Sequence, residues 1–294
     1  MVQNFNFNKK LIIGSANFGN PYGLKKRKVS NVEFNKIFRY LELNQINYLD
    51  TAKNYGDSEK LIGEKNLSKL KIISKLPKLN KNVKNIRRWT LGRVYDTLYK
   101  VKQKKIYAIL IHNPNDLLSK YGSQIFKTLI KLKKKKVIKK IGISVYNPQQ
   151  VDILIKKYKI DIVQIPFSVF DRRILKDNWI YKIKKKKIEI HVRSVFLQGL
   201  LLKNKIPKFF KKWKAVFTRW NNFCKNAKIS KNLAALRFVA SFKEIDKIVL
   251  GINSLRELKI NVKNILNSKK LFFPQELSVT DEKILNPYNW RITG

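Results

Sequence analysis

The feature that most constrains this chain is an alternation. Short apolar runs recur along it, and between them lie segments whose apolar residues return at helical spacing. The runs are Leu11–Gly14, Tyr48–Asp50, Lys71–Ser74, Ile106–Ile111, Ile141–Ser144, Ile162–Ile165, Ile188–Ser194 and Ile248–Leu250. Runs this short, without polar alternation, suit parallel strands covered on both faces. The intervening segments predict helices. Ser30 followed by Glu33 forms a capping box ahead of Phe34, Ile37, Phe38 and Leu41. Ser58 caps a helix with Glu59 in its first turn, and Asn85–Val101 turns Ile86, Trp89, Val94 and Leu98 inward. Tyr121–Lys135 carries Ile125, Leu129 and Leu132 on one face, and Pro148 opens the next helix at a favoured first position. Further helices are predicted around Leu175–Ile183, over Leu233–Val239 and after Ser254.

Eight strand–helix units in 294 residues predict an α/β fold of a single domain over 1–294, a closed (β/α)8 TIM barrel. A doubly wound open sheet is the alternative, but no G-x-G-x-x-G turn follows Gly14. Phe5–Asn8 is expected to form a short lid or hairpin, and Ser15–Gly23 a Gly/Asn/Pro loop.

Such barrels carry their chemistry at the C-terminal tips of the strands. Asp50 ends the second run, Tyr55 stands in the loop beyond it, Lys75 closes the third run and His112 follows the fourth. A carboxylate, a phenol, an ammonium and an imidazole are thus predicted to share one mouth. His191 lies inside a strand-like run and reads as structural.

The segment Asp50-Thr51-Ala52-Lys53-Asn54-Tyr55-Gly56-Asp57-Ser58-Glu59, with Lys75 and His112 after the next two strands, resembles the aldo-keto reductases. That resemblance implies reduction of an aldehyde or ketone to an alcohol, with hydride from a nicotinamide cofactor. No side chain donates hydride, so a cofactor is required. By the same resemblance Tyr55 is the proton donor, Lys75 lowers its phenol pKa from about 10, Asp50 fixes Lys75, and His112 orients the carbonyl. For the cofactor it implies Ser15 and Asp50 near the first strands, and Ser144 with Gln164 on the carboxamide. Val145 stands where the family often has Asn, so that contact is missing or comes from Asn147. Ser194, Phe196, Gln198 and Gly199 would line the pyrophosphate loop, and Arg193 replaces a Tyr that some relatives stack on the nicotinamide. Gly251, Asn253, Ser254, Glu257 and Asn261 would hold the adenosine end, where free amides at a helix start suit an anion. Many relatives place a Lys and an Arg there, whereas this chain has Gly251 and Glu257, with Arg256 beside the second. NADPH is the expected cofactor and NADH the alternative.

Composition narrows the class further. Cys224 is the only cysteine, which excludes an intrachain disulfide and a cysteine metal cluster, and no metal is expected. No apolar run approaches the roughly 18–20 residues of a membrane span. The Asn-rich first ten residues hold no apolar block, so a cytoplasmic protein without a secretory signal is expected. The formal net charge of +46 suggests a polyanion partner, but Lys outnumbers Arg by 53 to 12. Nucleic-acid sites favour Arg, and the AT-rich codons shared by Lys, Asn and Ile offer a compositional reading of the excess. Neither nucleic acid nor an anionic membrane is therefore the expected partner. Lys133–Lys136 and Lys184–Lys187 sit at predicted helix C-termini, where cations complement the dipole. The aromatic stretch Phe209–Phe223 reads as core or pocket wall. The expected substrate is a small carbonyl compound, sugar-derived or otherwise polar; the sequence leaves monomer and homo-oligomer open. The rival readings are a cofactor-binding regulatory barrel without turnover and a polyanion-binding barrel.

Overall fold

Eight parallel strands pair in sequence order and close on themselves: β1 (Leu11–Gly14), β2 (Tyr48–Asp50), β3 (Lys71–Leu76), β4 (Ile106–Ile111), β5 (Ile138–Ser144), β6 (Ile162–Pro166), β7 (Glu189–Arg193) and β8 (Lys247–Gly251). Closure comes from β8, whose Ile248, Val249, Leu250 and Gly251 stand in register with Leu11, Ile12, Ile13 and Gly14. The computed structural model describes residues 10–24, 28–65, 69–266 and 271–290; the expected lid at Phe5–Asn8 lies outside them. Helices α1 (Asn31–Leu43), α2 (Ser58–Gly63), α3 (Ile86–Lys100), α4 (Gly122–Lys134), α5 (Pro148–Lys157), α6 (Trp179–Lys185), α7 (Lys214–Asn226) and α8 (Lys231–Ala240) connect successive strands, and α9 (Leu255–Leu266) follows β8. The predicted barrel is the observed one. Among the described residues no helix is long and apolar enough to cross a membrane.

Strand alternation divides the apolar residues into two layers. Ile72 and Leu76 face the helices, while Ile73 joins Ile12, Ala108, Leu110, Ile162 and Val249 inside the barrel. Toward the N-terminal end of the strands the interior turns polar. The rings of Tyr48 and Tyr107 meet edge-on at 5.2 Å, and the Lys247 ammonium lies 4.0 Å from the Tyr48 centroid. Glu189 pairs with Lys140, and its Oε2 lies 3.2 Å from His191 Nε2. His191 is fully buried within this group, in keeping with a structural role. Outside, Lys133 near the end of α4 bonds Asp161, just before β6, and Lys184 near the end of α6 bonds Asp246, just before β8.

Several local expectations shift. The third strand runs on to Leu76, so Lys75 belongs to it rather than following it. In α3 the inward place goes to Thr90, whose hydroxyl donates to Ile86 O, and Trp89 is only half-buried. Ser58 is the first residue of α2 and not its cap; its hydroxyl is drawn into a buried network described below. Ser30 does accept from Glu33 N, but the Glu33 carboxylate reaches across to α9 instead of closing the box. The segment 175–183 breaks at Asp177 and Asn178, both left-handed, into a 3-10 turn and α6. The loop after β1 contains a helical turn at Ala16–Gly19. Phe210, Phe217 and Trp220 of the aromatic stretch are buried in the core.

Burial pushes the Glu189 carboxyl up, but hydrogen bonds from His191 and Lys140 outweigh it and hold it at about 2. A carboxyl lowered from its ordinary range stabilises the fold above that range and loses the contribution as pH falls through about 2. Chemical denaturation of Glu189→Gln should therefore show lower stability at neutral pH and a loss between pH 4.5 and 2 that is shallower by on the order of 2 kcal/mol.

Candidate active site

Lys75 enters the barrel mouth because it shares the inner face of β3 with Ile73. It meets Asp50, the last residue of β2, in an ion pair whose side chains are 1% and 4% exposed. The Lys75 ammonium donates to Asp50 Oδ1 at 2.5 Å, to Thr51 O at 3.0 Å and to the Tyr55 hydroxyl at 3.4 Å. Its three donors are thereby assigned. The second oxygen of Asp50 accepts from Gln164 Nε2 at 2.7 Å, and Ser144 Oγ donates to Gln164 Oε1 at 3.3 Å. A continuous chain of contacts, Tyr55–Lys75–Asp50–Gln164–Ser144, thus crosses the mouth from the β2 loop to β5.

Tyr55 is held by its turn. Its amide donates to Ala52 O, and its carbonyl accepts from Ser58 N. Beneath, Ser58 Oγ donates to Ser15 Oγ at 2.6 Å and lies 3.2 Å from Thr51 Oγ1, all three buried. Ser15 thus ties the loop after β1 to the loop after β2. Gly19 makes that approach possible, since a Cβ there would stand 1.8 Å from Tyr55 O. His112 follows β4, its amide bonded to Leu76 O, and its ring meets the Tyr55 ring edge-on at 6.4 Å.

The electrostatics correct one expectation. Burial, then the Asp50 carboxylate, push the Tyr55 phenol above its ordinary range; Arg193 acts the other way and does not prevail. Lys75 does not lower it on balance, because its charge is matched by Asp50 at 2.5 Å. Tyr55 keeps its proton. Burial, then Lys75, pull His112 down to about 4, so its imidazole is neutral near pH 7.

Ser144 and Gln164 are buried at the tips of β5 and β6. Val145 is buried as well, and the Asn147 side-chain oxygen caps α5 by accepting from Gln149 N at 2.9 Å. In the loop after β7, Ser194, Leu197, Gln198 and Gly199 are all left-handed. Such residues cost about 1–3 kcal/mol each when not glycine and persist only where neighbours enforce them. Here Gln198 O accepts from Leu24 N and Gln198 Nε2 donates to the Tyr22 hydroxyl. Phe196 packs half-buried against the core, and a Cβ on Gly199 or Gly251 would meet nothing within 4 Å.

At the start of α9 three of the amides expected to be free are bonded within the chain. Leu255 N donates to Glu33 Oε2 at 2.8 Å, Asn253 N to Glu257 Oε2 at 2.8 Å, and Glu257 N to Ser254 Oγ at 3.2 Å. Two carboxylates of this chain stand where an anion was expected. Asn253 Oδ1 accepts from Asn17, and Asn261 is buried against Asn232 of α8. Gly251, Arg256 and Glu257 are exposed.

Sequence reasoning missed the tyrosines of the rim. Arg193 lies 4.1 Å over the Tyr146 ring, and Tyr146 meets Tyr288 at 5.6 Å. Tyr146 follows Ser144 by two residues, so its nearness to the strand tip is a signal in the sequence; nothing in the sequence links Tyr288 to the mouth. Among the described residues no group of three His, Cys, Asp or Glu side chains is placed to hold a metal.

The chain has only two histidines. Burial lowers His191 too, against the pull of Glu189. NMR titration of the two rings should find both neutral at pH 7, with His112 protonating near pH 4. Lys75→Met should move the His112 midpoint up.

The model of the aldo/keto reductase family matches residues 10–271. Among solved structures, the holo form of the aldo-keto reductase AKR11C1 from Bacillus halodurans superposes with a TM-score of 0.72 at 19% identity, covering 90% of this chain and 88% of that one. The glycerol dehydrogenase AKR11B4 from Gluconobacter oxydans gives 0.66 at 21% identity, over 87% and 85%. A putative aldo-keto reductase from Pseudomonas aeruginosa gives 0.65 at 18%, over 88% and 90%. No curated protein matches the sequence.

Proposed function

The chain belongs to the aldo/keto reductase family, and from that premise we propose that it reduces an aldehyde or ketone to an alcohol with a nicotinamide cofactor, Tyr55 delivering the proton. The observation that carries this reading is the convergence of the Tyr55 hydroxyl, the Lys75–Asp50 pair and the His112 ring at one mouth. The polar Ser144–Gln164 pair, the left-handed turn 194–199 and the open space at Gly199 and Gly251 fit a dinucleotide laid across the strand tips. When bound, the reduced cofactor supplies the hydride that no side chain has.

The residues do the rest. Tyr55, kept protonated by burial and by Asp50, has a proton to give as negative charge develops on the carbonyl oxygen. Lys75, 3.4 Å from the phenol oxygen, steadies the phenolate left behind, with Asp50 holding it in place. His112, neutral, offers a hydrogen bond that orients the carbonyl. Small, polar, sugar-derived carbonyls are the substrates we infer. The intact set of four groups favours turnover over a regulatory barrel.

For the cofactor we infer a preference for NADH. A 2′-phosphate at the start of α9 would meet the Glu33 and Glu257 carboxylates already bonded to its amides, and like charges there oppose binding.

Tyr55→Phe should lower kcat by about 10²- to 10⁴-fold on a generic aldehyde, while fluorescence titration still detects cofactor binding. Lack of effect on turnover would remove Tyr55 as donor. In the same titrations the wild type should bind NADH more tightly than NADPH, and Glu257→Lys should shift the ratio toward NADPH by about tenfold.

A further inference from the structure

The outer face of α3 departs from the rest of the chain in composition. Lys outnumbers Arg by 53 to 12 over the whole sequence, yet α3 holds three arginines, Arg87, Arg88 and Arg93, and a single lysine. Arg87 and Arg88 lie in its first turn, and no acid accompanies them there. Cations at that end oppose the helix dipole. The only acid of the helix, Asp96, is taken by Lys53 at 2.6 Å and by Lys100 at 3.4 Å. Arg173 pairs with Asp171 and Glu282, but among the described residues no carboxylate pairs with Arg87, Arg88 or Arg93.

Helical spacing sets Arg88, Gly92, Tyr95 and Tyr99 on one stripe, which rises about 16 Å along the helix. All four are exposed, Tyr95 to 49% and Tyr99 to 84%. The core side of α3 is Ile86, Val94 and Leu98 with two threonines, so the tyrosines serve no packing in this chain. Gly92 stands in the middle of the helix, where glycine costs stability relative to alanine. A Cβ there would meet nothing within 4 Å. Packing within the chain therefore does not call for the glycine, whereas a partner lying close on the helix backbone does.

Cations stand at both ends of the stripe. Lys84 precedes the helix and Lys102, Lys104 and Lys105 follow it, all exposed. Cations, then two phenol rings one turn apart, then cations again match the phosphates and bases of a single strand: guanidinium forks grip phosphate oxygens, and bases stack on aromatic rings. A second copy of this chain is opposed by the net charge of +46 that each carries. An acidic peptide answers the cations and leaves both rings without a stacking partner. Over the whole chain the scarcity of Arg counts against nucleic acid; α3 is where that scarcity is reversed.

We propose that the outer face of α3 binds single-stranded nucleic acid, with Arg87 and Arg88 on its phosphates, Tyr95 and Tyr99 under its bases, and Gly92 admitting its backbone to the helix. The site lies on the outside of the barrel and is independent of turnover at the mouth.

The test is fluorescence anisotropy of the full chain with fluorescein-labelled oligouridine and oligothymidine of about 20 nucleotides. The wild type should bind at least one of them with a Kd of about 10⁻⁵ M or tighter at physiological salt, the tighter one identifying the sugar. Tyr95→Ala with Tyr99→Ala should weaken binding by about tenfold or more at unchanged net charge. Arg87→Gln with Arg88→Gln should lower the slope of log affinity against log salt by about 1.4, at about 0.7 per phosphate contact. Gly92→Leu should raise the melting temperature, since leucine is the better helix former, and weaken binding, so that misfolding cannot account for the loss. The control removes two cations elsewhere, Lys134→Gln with Lys135→Gln, and should leave affinity within about twofold of the wild type. No binding at physiological salt, tyrosine variants that bind like the wild type, or an equal loss in the Lys134 and Lys135 control would each overturn the inference. Poly-L-glutamate that displaces the oligonucleotide and loses its own affinity in the tyrosine variants would overturn it in favour of an acidic protein.

Discussion

The buried pair of Lys75 and Asp50 is the contact on which the mouth of this barrel depends. Taking two charges out of water costs several kcal/mol per ion, and the attraction between them repays this only with good geometry and further hydrogen bonds. Both conditions are met: the pair is 2.5 Å long, and Asp50 accepts from Gln164 while Lys75 also reaches Thr51 O and Tyr55. Gln164 comes from β6, and Thr51 and Tyr55 come from the loop after β2. The ion pair is thus the junction that fixes β2, β3 and β6 relative to the phenol, and breaking it would leave an uncompensated charge with nowhere to go.

That junction also decides what Tyr55 can do. A lysine near a phenol suggests a lowered pKa when the two are considered alone. Here the lysine's charge is matched by a carboxylate at shorter range, and burial of the phenol is added to it. Burial and the carboxylate leave the phenol protonated, with the cation 3.4 Å from its oxygen. His112 responds to the same neighbours in the opposite sense of charge: burial and Lys75 together keep it neutral. One ion pair thereby stands beside a neutral phenol and a neutral imidazole.

The barrel and its four polar groups were legible because both rest on periodicity. Strand runs such as Ile106–Ile111 and helix faces such as Ile125, Leu129 and Leu132 are local patterns, and strand tips follow from them. What was hidden depends on contacts across the chain. Glu33 reads as half of a capping box until it is seen bonded to Leu255, 222 residues away. Ser58 reads as a cap until its hydroxyl is found on Ser15. Asn253 and Ser254 suggest a receptive helix start, yet Glu257 one turn on folds back over the Asn253 amide. Short polar side chains have several partners within reach, and only the fold selects among them.

Arg193 illustrates the same limit and its consequence for the site. As a letter it is a substitution for a stacking tyrosine. In the structure the tyrosine is still present: Tyr146 comes from the loop after β5 and lies under the guanidinium. That ring comes from two strands away in the barrel, and the β7 position carries a charge. Asp50 is bonded to Lys75 and Gln164, and among the described residues no carboxylate pairs with Arg193. The mouth therefore holds a protonated phenol and a neutral imidazole beside the Lys75–Asp50 pair, with the Arg193 guanidinium stacked on Tyr146 at the rim.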